Sequence, residues 1–364
     1  MTTLKRLNKK ILMIVNEPSP YMDIWFNGIA QKNELTVIYT AEVNAGHPWK
    51  TFKGFGGIFS SDMSLNELRK KVKECDLVIA GGWIRIYPFM AMMFGFLYHK
   101  TTIMTTDHPF HPKKWVSLFK RLFLYRKLDY IFCATEETCA SIIKTYGKVV
   151  EGKTRFFPYG IDTEVKISTK KHQIDRIDVL VATNFLPRKG HSVLFEALKM
   201  LDKEDERIKS KYHFTFVGKG DELGKCQTIA RELSIDTKFL GWVENEEYHR
   251  LMDETDVYIH PSIEEPFGIP PVDAMCKGKV VIVCDGVMSL RGLIRQGENG
   301  FHYSSPVENN NASAELYSIL IGLDSEKFEY IGKQAREDAI KKFSFTQFVD
   351  MIEDLCKIEK AIKN

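Results

Sequence analysis

The stretch His260-Pro-Ser-Ile-Glu-Glu-Pro-Phe-Gly-Ile-Pro-Pro-Val-Asp-Ala-Met-Cys-Lys-Gly-Lys-Val-Val-Ile-Val-Cys-Asp285 decides the fold. Asp256-Val-Tyr-Ile-His260, which leads into it, has the β-branched, apolar composition of a buried strand. Pro266-Phe-Gly268 is turn chemistry. Pro270 and Pro271 suit the first turn of a helix, where a missing N–H costs nothing. Ala274 and Met275 continue that helix, Gly278 ends it, and Val280-Val-Ile-Val283 is the next strand. The result is a βαβ unit whose first loop, carrying Glu265, lies at the carboxyl end of a parallel strand. In open α/β sheets ligands bind there, against helix N-termini whose free N–H groups suit anions.

Two carboxylates frame the loop, Glu265 before the turn and Asp273 about one turn into the helix, so one ligand can touch both. Carboxylates accept paired hydrogen bonds from vicinal hydroxyls, as a protein holds a sugar or a ribose. The plain alternative is a loop acid plus a helix-start acid. Upstream, Asp178-Val-Leu-Val-Ala182 reads as another buried strand, followed by Thr183-Asn-Phe-Leu-Pro-Arg-Lys-Gly190 and a helix from Ser192. Arg188 and Lys189 at the mouth of that helix suit an anion such as a diphosphate; the alternative is a basic surface loop.

Over Ser262 to Met275 the chain resembles the Glu–seven residues–Glu motif of the retaining glycosyltransferases of family 4, which have the GT-B fold. The resemblance implies that Glu265 holds hydroxyls of a donor sugar. It implies that backbone at Gly268, Ile269 and Pro270 meets sugar and diphosphate, and that Asp273 holds the nucleotide ribose. The family usually has Glu where this chain has Asp273, one methylene shorter. Lys189-Gly190 match the end of the family's Gly-Arg–four residues–Lys-Gly pattern, but its Arg position is Asn184, which leaves Arg188 as the substitute cation. Phe239-Leu-Gly-Trp-Val243 resembles the family's Phe-Leu-Gly-x-Val, which implies a base pocket at Trp242 and Val243, with Gly218 in the turn after the preceding strand.

The resemblance is fainter in the first half. His108, in Thr105-Thr-Asp-His-Pro-Phe110, stands where the family often has a histidine near the donor sugar, with Asp107 one residue off; the alternative is a loop histidine packed beside a proline. Phe157-Pro-Tyr-Gly-Ile-Asp162 resembles the family's Pro-Asn-Gly-Ile-Asp, with Tyr159 replacing Asn, and Gly297-Glu-Asn-Gly-Phe301 resembles its closing turn. Many members carry Gly-Gly in the first βα turn. Asn16 to Tyr21 has none, and Ser19 and Tyr21 are left as acceptor-side candidates.

Strands and helices alternate through that half. Ile11–Val15, Leu35–Tyr39, Leu77–Ala80, Thr102–Thr105 and Tyr130–Ala134 read as strands. Asp23–Gln31, Leu65–Lys73, Met90–Tyr98 and Glu136–Tyr146 read as helices, with Ser64 and Glu67 spaced as a capping box. Residues 163–176 read as a polar linker. Later, Phe214–Val217 is a strand, Tyr248 to Met252 is helical, and Ser344 is placed to cap a final helix to about Ile362.

The expected architecture is therefore α/β, of GT-B type: two Rossmann-like, doubly wound parallel-sheet domains facing a cleft. Residues 1–165 would form the acceptor domain and 166–343 the donor domain, with a C-terminal helix, 344–364, crossing back to the first.

Bulk properties narrow the classes. A chain of 364 residues exceeds one core, and 44% apolar with 27% charged residues is ordinary globular composition. A net charge of +3 gives no argument for nucleic acid. Seven cysteines with no Cys-x-x-Cys pair read as reduced thiols of a cytoplasmic protein, without a structural zinc. The apolar run Ile86 to Tyr98 falls short of the roughly 20 residues that span a bilayer. Lys113 to Lys127 holds six basic residues and no acidic one among Trp115, Phe119, Phe123 and Tyr125. As a helix it would align Val116, Phe119, Leu122 and Phe123 on one face. Lys113, Lys114, Trp115, Lys120 and Arg121 would then meet an anionic membrane surface on the cytoplasmic side. A domain helix with solvated lysines is the equal alternative.

The resemblance implies a hexosyl transferase that moves a sugar, with retention, from a UDP- or GDP-sugar to a saccharide or lipid-linked acceptor, in cell-surface polysaccharide or glycolipid synthesis. Glu265, Lys189, Arg188 and His108 are its expected catalytic groups. No cofactor beyond the nucleotide-sugar co-substrate and no metal are expected. Two alternatives stay open: a sugar-nucleotide epimerase or phosphorylase of the same fold, and a non-catalytic partner in a polysaccharide assembly complex.

Overall fold

The computed structural model of the chain describes residues 9–41, 54–82, 85–108, 118, 120–163, 165–168, 170, 172–344 and 350–352. Two compact units emerge, Met1–Gly160 with Phe345–Asn364, and Ile161–Ser344.

In the first unit, strands β1 (Lys10–Val15), β2 (Glu34–Tyr39), β3 (Ile58–Phe59), β4 (Leu77–Gly81), β5 (Thr101–Thr106), β6 (Tyr130–Cys133) and β7 (Thr154–Phe156) form one parallel sheet. Its order is β3-β2-β1-β4-β5-β6-β7. β1 explains why its strands read as unbroken apolar runs. Leu12 and Ile14 face one apolar layer, shared with Leu68, Val72 and Met92. Ile11, Met13 and Val15 face another, shared with Trp25, Phe26 and Phe132. A parallel sheet covered on both faces requires this. Ile352 packs in the second layer, so residues near the end of the chain return to this unit.

Local signals set the helix ends. Ser64 Oγ accepts from Glu67 N–H at 3.3 Å, and the Glu67 carboxylate accepts from Ser64 N–H at 2.7 Å, which closes the expected capping box. The helix expected from Met90 starts instead at Ile86. Pro88 falls in its first turn, where proline removes no intrahelical bond. In the basic segment, Lys120–Tyr125 winds as a π-helix. Of the expected apolar stripe only the Phe123 side chain is among the described residues, and it is 56% exposed, while Leu124 and Tyr125 turn into the core. An i→i+5 turn changes which residues face inwards. Residues 113–117 and 119 lie outside the described residues.

The second unit holds β8 (Ile177–Ala182), β9 (Tyr212–Val217), β10 (Asp236–Gly241), β11 (Val257–His260), β12 (Val280–Cys284) and β13 (Phe301–Tyr303). All are parallel, in the order β10-β9-β8-β11-β12-β13. Strand order reverses between β8 and β11, so the crevice outside their carboxyl ends is the natural ligand position. Val179, Val181, Phe214, Phe216, Ile259 and Ile282 pack with Leu194, Phe195 and Leu198 of the helix His191–Leu201.

One feature departs from the sequence reading. The segment read as a linker is clasped to the sheet: Lys170 Nζ lies 2.7 Å from Asp178 and 2.6 Å from buried Asp256, and His172 Nδ1 lies 2.7 Å from Asp256. Ser344 closes the helix Phe328–Phe343 by donating its N–H to Ile340 O and bridges to Ile161; residues 345–349, which it was expected to lead into as a helix cap, lie outside the described residues. The last expected helix is described only at residues 350–352. The six described cysteines are free.

Candidate functional site

The end of β11 fixes the site. All four of its residues are buried, and Pro261, lacking an N–H, ends the ladder. Alongside, the 3-10 turn Pro187–Lys189 closes at Gly190, whose φ is +68°. A Cβ there would run into the Pro261 carbonyl oxygen, so only glycine lets these two backbones touch. That approach brings Lys189 to Glu265, and the two form an ion pair with side chains only 11% and 14% exposed.

Backbone bonds lock the pair from both sides. Ile263 and Glu264 donate N–H to Arg188 O at 3.0 and 3.3 Å, and the Arg188 guanidinium donates to Glu264 O at 3.2 Å. On the far side Glu265 N–H reaches Gly286 O at 3.0 Å, and Met288 N–H reaches Glu265 O at 3.1 Å. Burial alone would raise the Glu265 pKa. His260 and Lys189 outweigh it and hold the carboxyl well below the usual range. Burial lowers the Lys189 pKa, and Glu265 opposes that shift.

Two residues of this network, Tyr258 and His260, lie outside the stretch that resembles the family, and Ser262 opens that stretch. His260 Nε2 and Ser262 Oγ each lie 3.2 Å from Glu265 Oε2, and the Tyr258 hydroxyl lies 3.2 Å from His260 Nδ1. Alternation along the strand was the available signal for the first two, since residues 258 and 260 fall on one side. His191, first in its helix, is buried and stacked on Phe185 at 4.2 Å. Burial pushes its pKa down to about 3, so it is neutral.

Gly268, at φ +86°, starts the helix Ile269–Cys276, with Ile269, Pro270 and Pro271 in the first turn. A side chain there would crowd Val287 at 3.0 Å and Glu265 Cγ at 3.2 Å. Asp273, half-buried, follows on the same helix and accepts from the Tyr248 hydroxyl at 3.4 Å. Burial pushes its pKa up to about 7; Tyr248 and Lys277 oppose the shift, and Asp162 adds to it.

The other expected donor residues lie along the same edge. Asn184 follows β8, Gly218 follows β9, and Trp242 and Val243 follow β10, at the carboxyl ends of parallel strands. Gly218 N–H donates to Gly241 O at 2.8 Å, and Lys219 stands 5.8 Å over the Trp242 ring. His108 belongs to the first unit, exposed just past β5. Lys113, Lys114 and Trp115 lie outside the described residues, and Lys120 and Arg121 open the π-helix. A hollow of about 320 Å³ opens beyond β12, lined by Asp285, Leu290, Arg291, Ile294, His302 and Glu308, not by the Lys189–Glu265 pair. Among the described residues no group of three or more His, Cys, Asp or Glu side chains is placed to hold a metal ion. Among them, too, no helix is long and apolar enough to cross a membrane.

This edge, with a cation and a carboxylate in contact and a second acid one helix turn away, falls within a recognisable segment. Residues 163–338 match the model of the family described as glycosyl transferases group 1. That segment is similar to the group 1 glycosyl transferases. An uncharacterized glycosyltransferase of Methanocaldococcus jannaschii is 26% identical over 56% of this chain and 51% of its own length. The N,N'-diacetylbacillosaminyl-diphospho-undecaprenol alpha-1,3-N-acetylgalactosaminyltransferase of Campylobacter jejuni is 26% identical over 57% of this chain. There too the match spans 51% of the relative. The chain thus spans about half the length of these curated relatives. In fold, the chain is similar to Anabaena HepE in complex with UDP and glucose. The TM-score is 0.74 at 18% identity, covering 96% of this chain and 100% of that one. The fold is GT-B, with the matched segment in its second Rossmann-like half.

Proposed function

We propose that the chain is a retaining glycosyltransferase that moves a hexosyl group from a nucleoside diphosphate sugar to a saccharide or lipid-linked acceptor. The observation that carries this is the Lys189–Glu265 pair at the strand-order reversal, with Asp273 on the helix that leaves the same loop. Glu265 accepts hydroxyls of the donor sugar, and Asp273 accepts those of the ribose. Lys189 and Arg188 meet the charge that grows on the departing diphosphate. Preorganised donors of this kind are each worth about 2.7–4 kcal/mol of barrier. The anomeric C–O bond to the diphosphate breaks as the bond to the acceptor oxygen forms on the same face. The acceptor proton passes to a donor phosphate oxygen, so no protein base is assigned. With cations in place the transfer needs no metal.

UDP is the first base to test, because HepE holds UDP and glucose in its complex. A role in polysaccharide or glycolipid assembly is supported by the Campylobacter relative, named for a diphospho-undecaprenol acceptor, and by a Klebsiella relative named for its cps region. On the first unit, exposed Phe123 and Lys127, which stands 5.9 Å over Phe96, suit attachment to an anionic membrane surface on its cytoplasmic side.

Calorimetry with UDP, GDP and their sugars, followed by transfer of a labelled sugar, tests the reading. The wild type is expected to bind one of them, and both Lys189→Ala and Glu265→Ala to abolish transfer while keeping the fold. Near-normal turnover in both variants refutes the site, and an inverted anomeric product by NMR refutes retention.

A further inference from the structure

The donors around Glu265 converge on one of its two oxygens. Lys189 Nζ, His260 Nε2 and Ser262 Oγ all meet Oε2. Behind them, His260 Nδ1 lies 3.2 Å from the Tyr258 hydroxyl, which also lies 2.9 Å from Ala182 O. Tyr258 and His260 are shut off from bulk solvent, at 0% and 1% exposure.

Protons are scarce in this chain of contacts. A phenol has one hydrogen, and a neutral imidazole has one on nitrogen. With the phenol hydrogen on Ala182 O, a neutral His260 places its own on Nδ1; its bare Nε2 then faces the Glu265 carboxylate and can only take the Ser262 hydroxyl, 3.2 Å away. With the phenol hydrogen turned to Nδ1, Nε2–H points at the carboxylate. The second arrangement gives up two neutral hydrogen bonds, Tyr258 to Ala182 O and Ser262 to Nε2, and gains two charge-assisted ones to Glu265, from Nε2–H and from the Ser262 hydroxyl, each roughly twice as strong. The imidazolium is disfavoured by burial and by the charges of Lys189 and Arg188, though Glu265 favours it. The groups facing the ring are Lys189 and Arg188 from the 187–189 turn, His191 from the next helix, Tyr258, Ser262 and Glu265. Asp273 acts on Tyr258 from the helix Ile269–Cys276.

We infer that His260 is a positioning residue for Glu265: it presents Nε2–H to Oε2, which leaves Oε1 as the oxygen that accepts the hydroxyls of the donor sugar. This rests on the proposed sugar-transfer role for its functional half, not for its proton placement. Tyr258 sets the tautomer through Nδ1, and Ser262 adds its hydroxyl to the same oxygen.

Nitrogen-15 NMR of histidine-labelled full-length protein at neutral pH reads the first half directly. A protonated Nε2 is expected for His260, assigned by its loss in His260→Gln, and a bare Nε2 overturns the inference. The second half is read in kinetics. His260→Leu is expected to lower kcat about tenfold, the weight of one charge-assisted donor, while the affinity for UDP alone stays unchanged. His260→Gln, whose amide N–H reaches a similar point, is expected to restore most of that loss. Equal rates in wild type and His260→Leu, or a glutamine variant no better than the leucine one, overturn the positioning role. If the wild type transfers no sugar, the functional reading fails by itself, and the nitrogen shifts still decide the proton. If His260→Leu does not fold, the glutamine variant and the wild-type spectrum carry the test.

Discussion

Asp273 is a residue whose removal should strengthen the protein. Burial lifts its carboxyl pKa from 3.8 to about 7. The folded state therefore keeps a proton that the unfolded chain surrenders from about pH 4 upwards. Stability linked to this group is fully present below the unfolded pKa, drains as pH rises towards the folded one, and is flat above it. Each tenfold difference in proton affinity is worth about 1.4 kcal/mol, so the deficit above pH 7 approaches about 4 kcal/mol. The side chain is only half-buried, and solvent reduces that to about 2–4 kcal/mol. Asp273→Asn keeps the shape and an oxygen for the Tyr248 hydroxyl but has no charge to desolvate. Urea denaturation should show it more stable than wild type by about 2–4 kcal/mol at pH 8 and nearly equal at pH 4. In calorimetry the same variant should bind its nucleotide about tenfold more weakly, since a neutral amide is a poorer partner for two ribose hydroxyls. A gain that does not change with pH, or no gain at pH 8, would refute the electrostatic argument.

Other expectations follow from the same geometry. Lys189→Met strands a largely buried Glu265 carboxylate, and should cost about 3 kcal/mol in urea denaturation; adding Glu265→Gln should recover most of it. Because the Glu265 pKa is depressed, the pair's contribution is present above the ordinary carboxylate range and fades as pH falls through the folded value. Gly190→Ala forces a side chain into the Pro261 carbonyl at positive φ, and should lower stability by at least about 2 kcal/mol, seen as a lower Tm. If the first unit meets lipid, Lys127→Glu should weaken sedimentation with anionic vesicles at low salt by about 1 kcal/mol or more, and Phe123→Ser should weaken it further. EDTA should leave transfer unchanged, measured with the labelled donor.

The parts of the fold legible in sequence were those set by neighbours along the chain. The β-branched run into His260, the paired prolines at 270 and 271, and the Ser64–Glu67 box each carry their cause within four residues. The helices Ala312–Ile321 and Phe328–Phe343 passed unnoticed, as did the π-winding at Lys120–Tyr125, which no local signal separates from an α-helix. Contacts set by topology were equally silent. Lys189 and Glu265 are 76 residues apart, and only the adjacency of β8 and β11 makes them partners.

That pairing changes how the proposed site would work. A diphosphate and a sugar approaching separate charged groups would strip water from each at a cost of several kcal/mol per ion. Here Lys189 and Glu265 have already left water in folding, each satisfied by the other. An arriving donor then exchanges partners in place: phosphate oxygens take up the ammonium while sugar hydroxyls take up the carboxylate. Neither charge is desolvated afresh. A donor lacking either its diphosphate or its sugar hydroxyls leaves one member of the pair without a replacement, which favours the complete nucleotide sugar over its fragments.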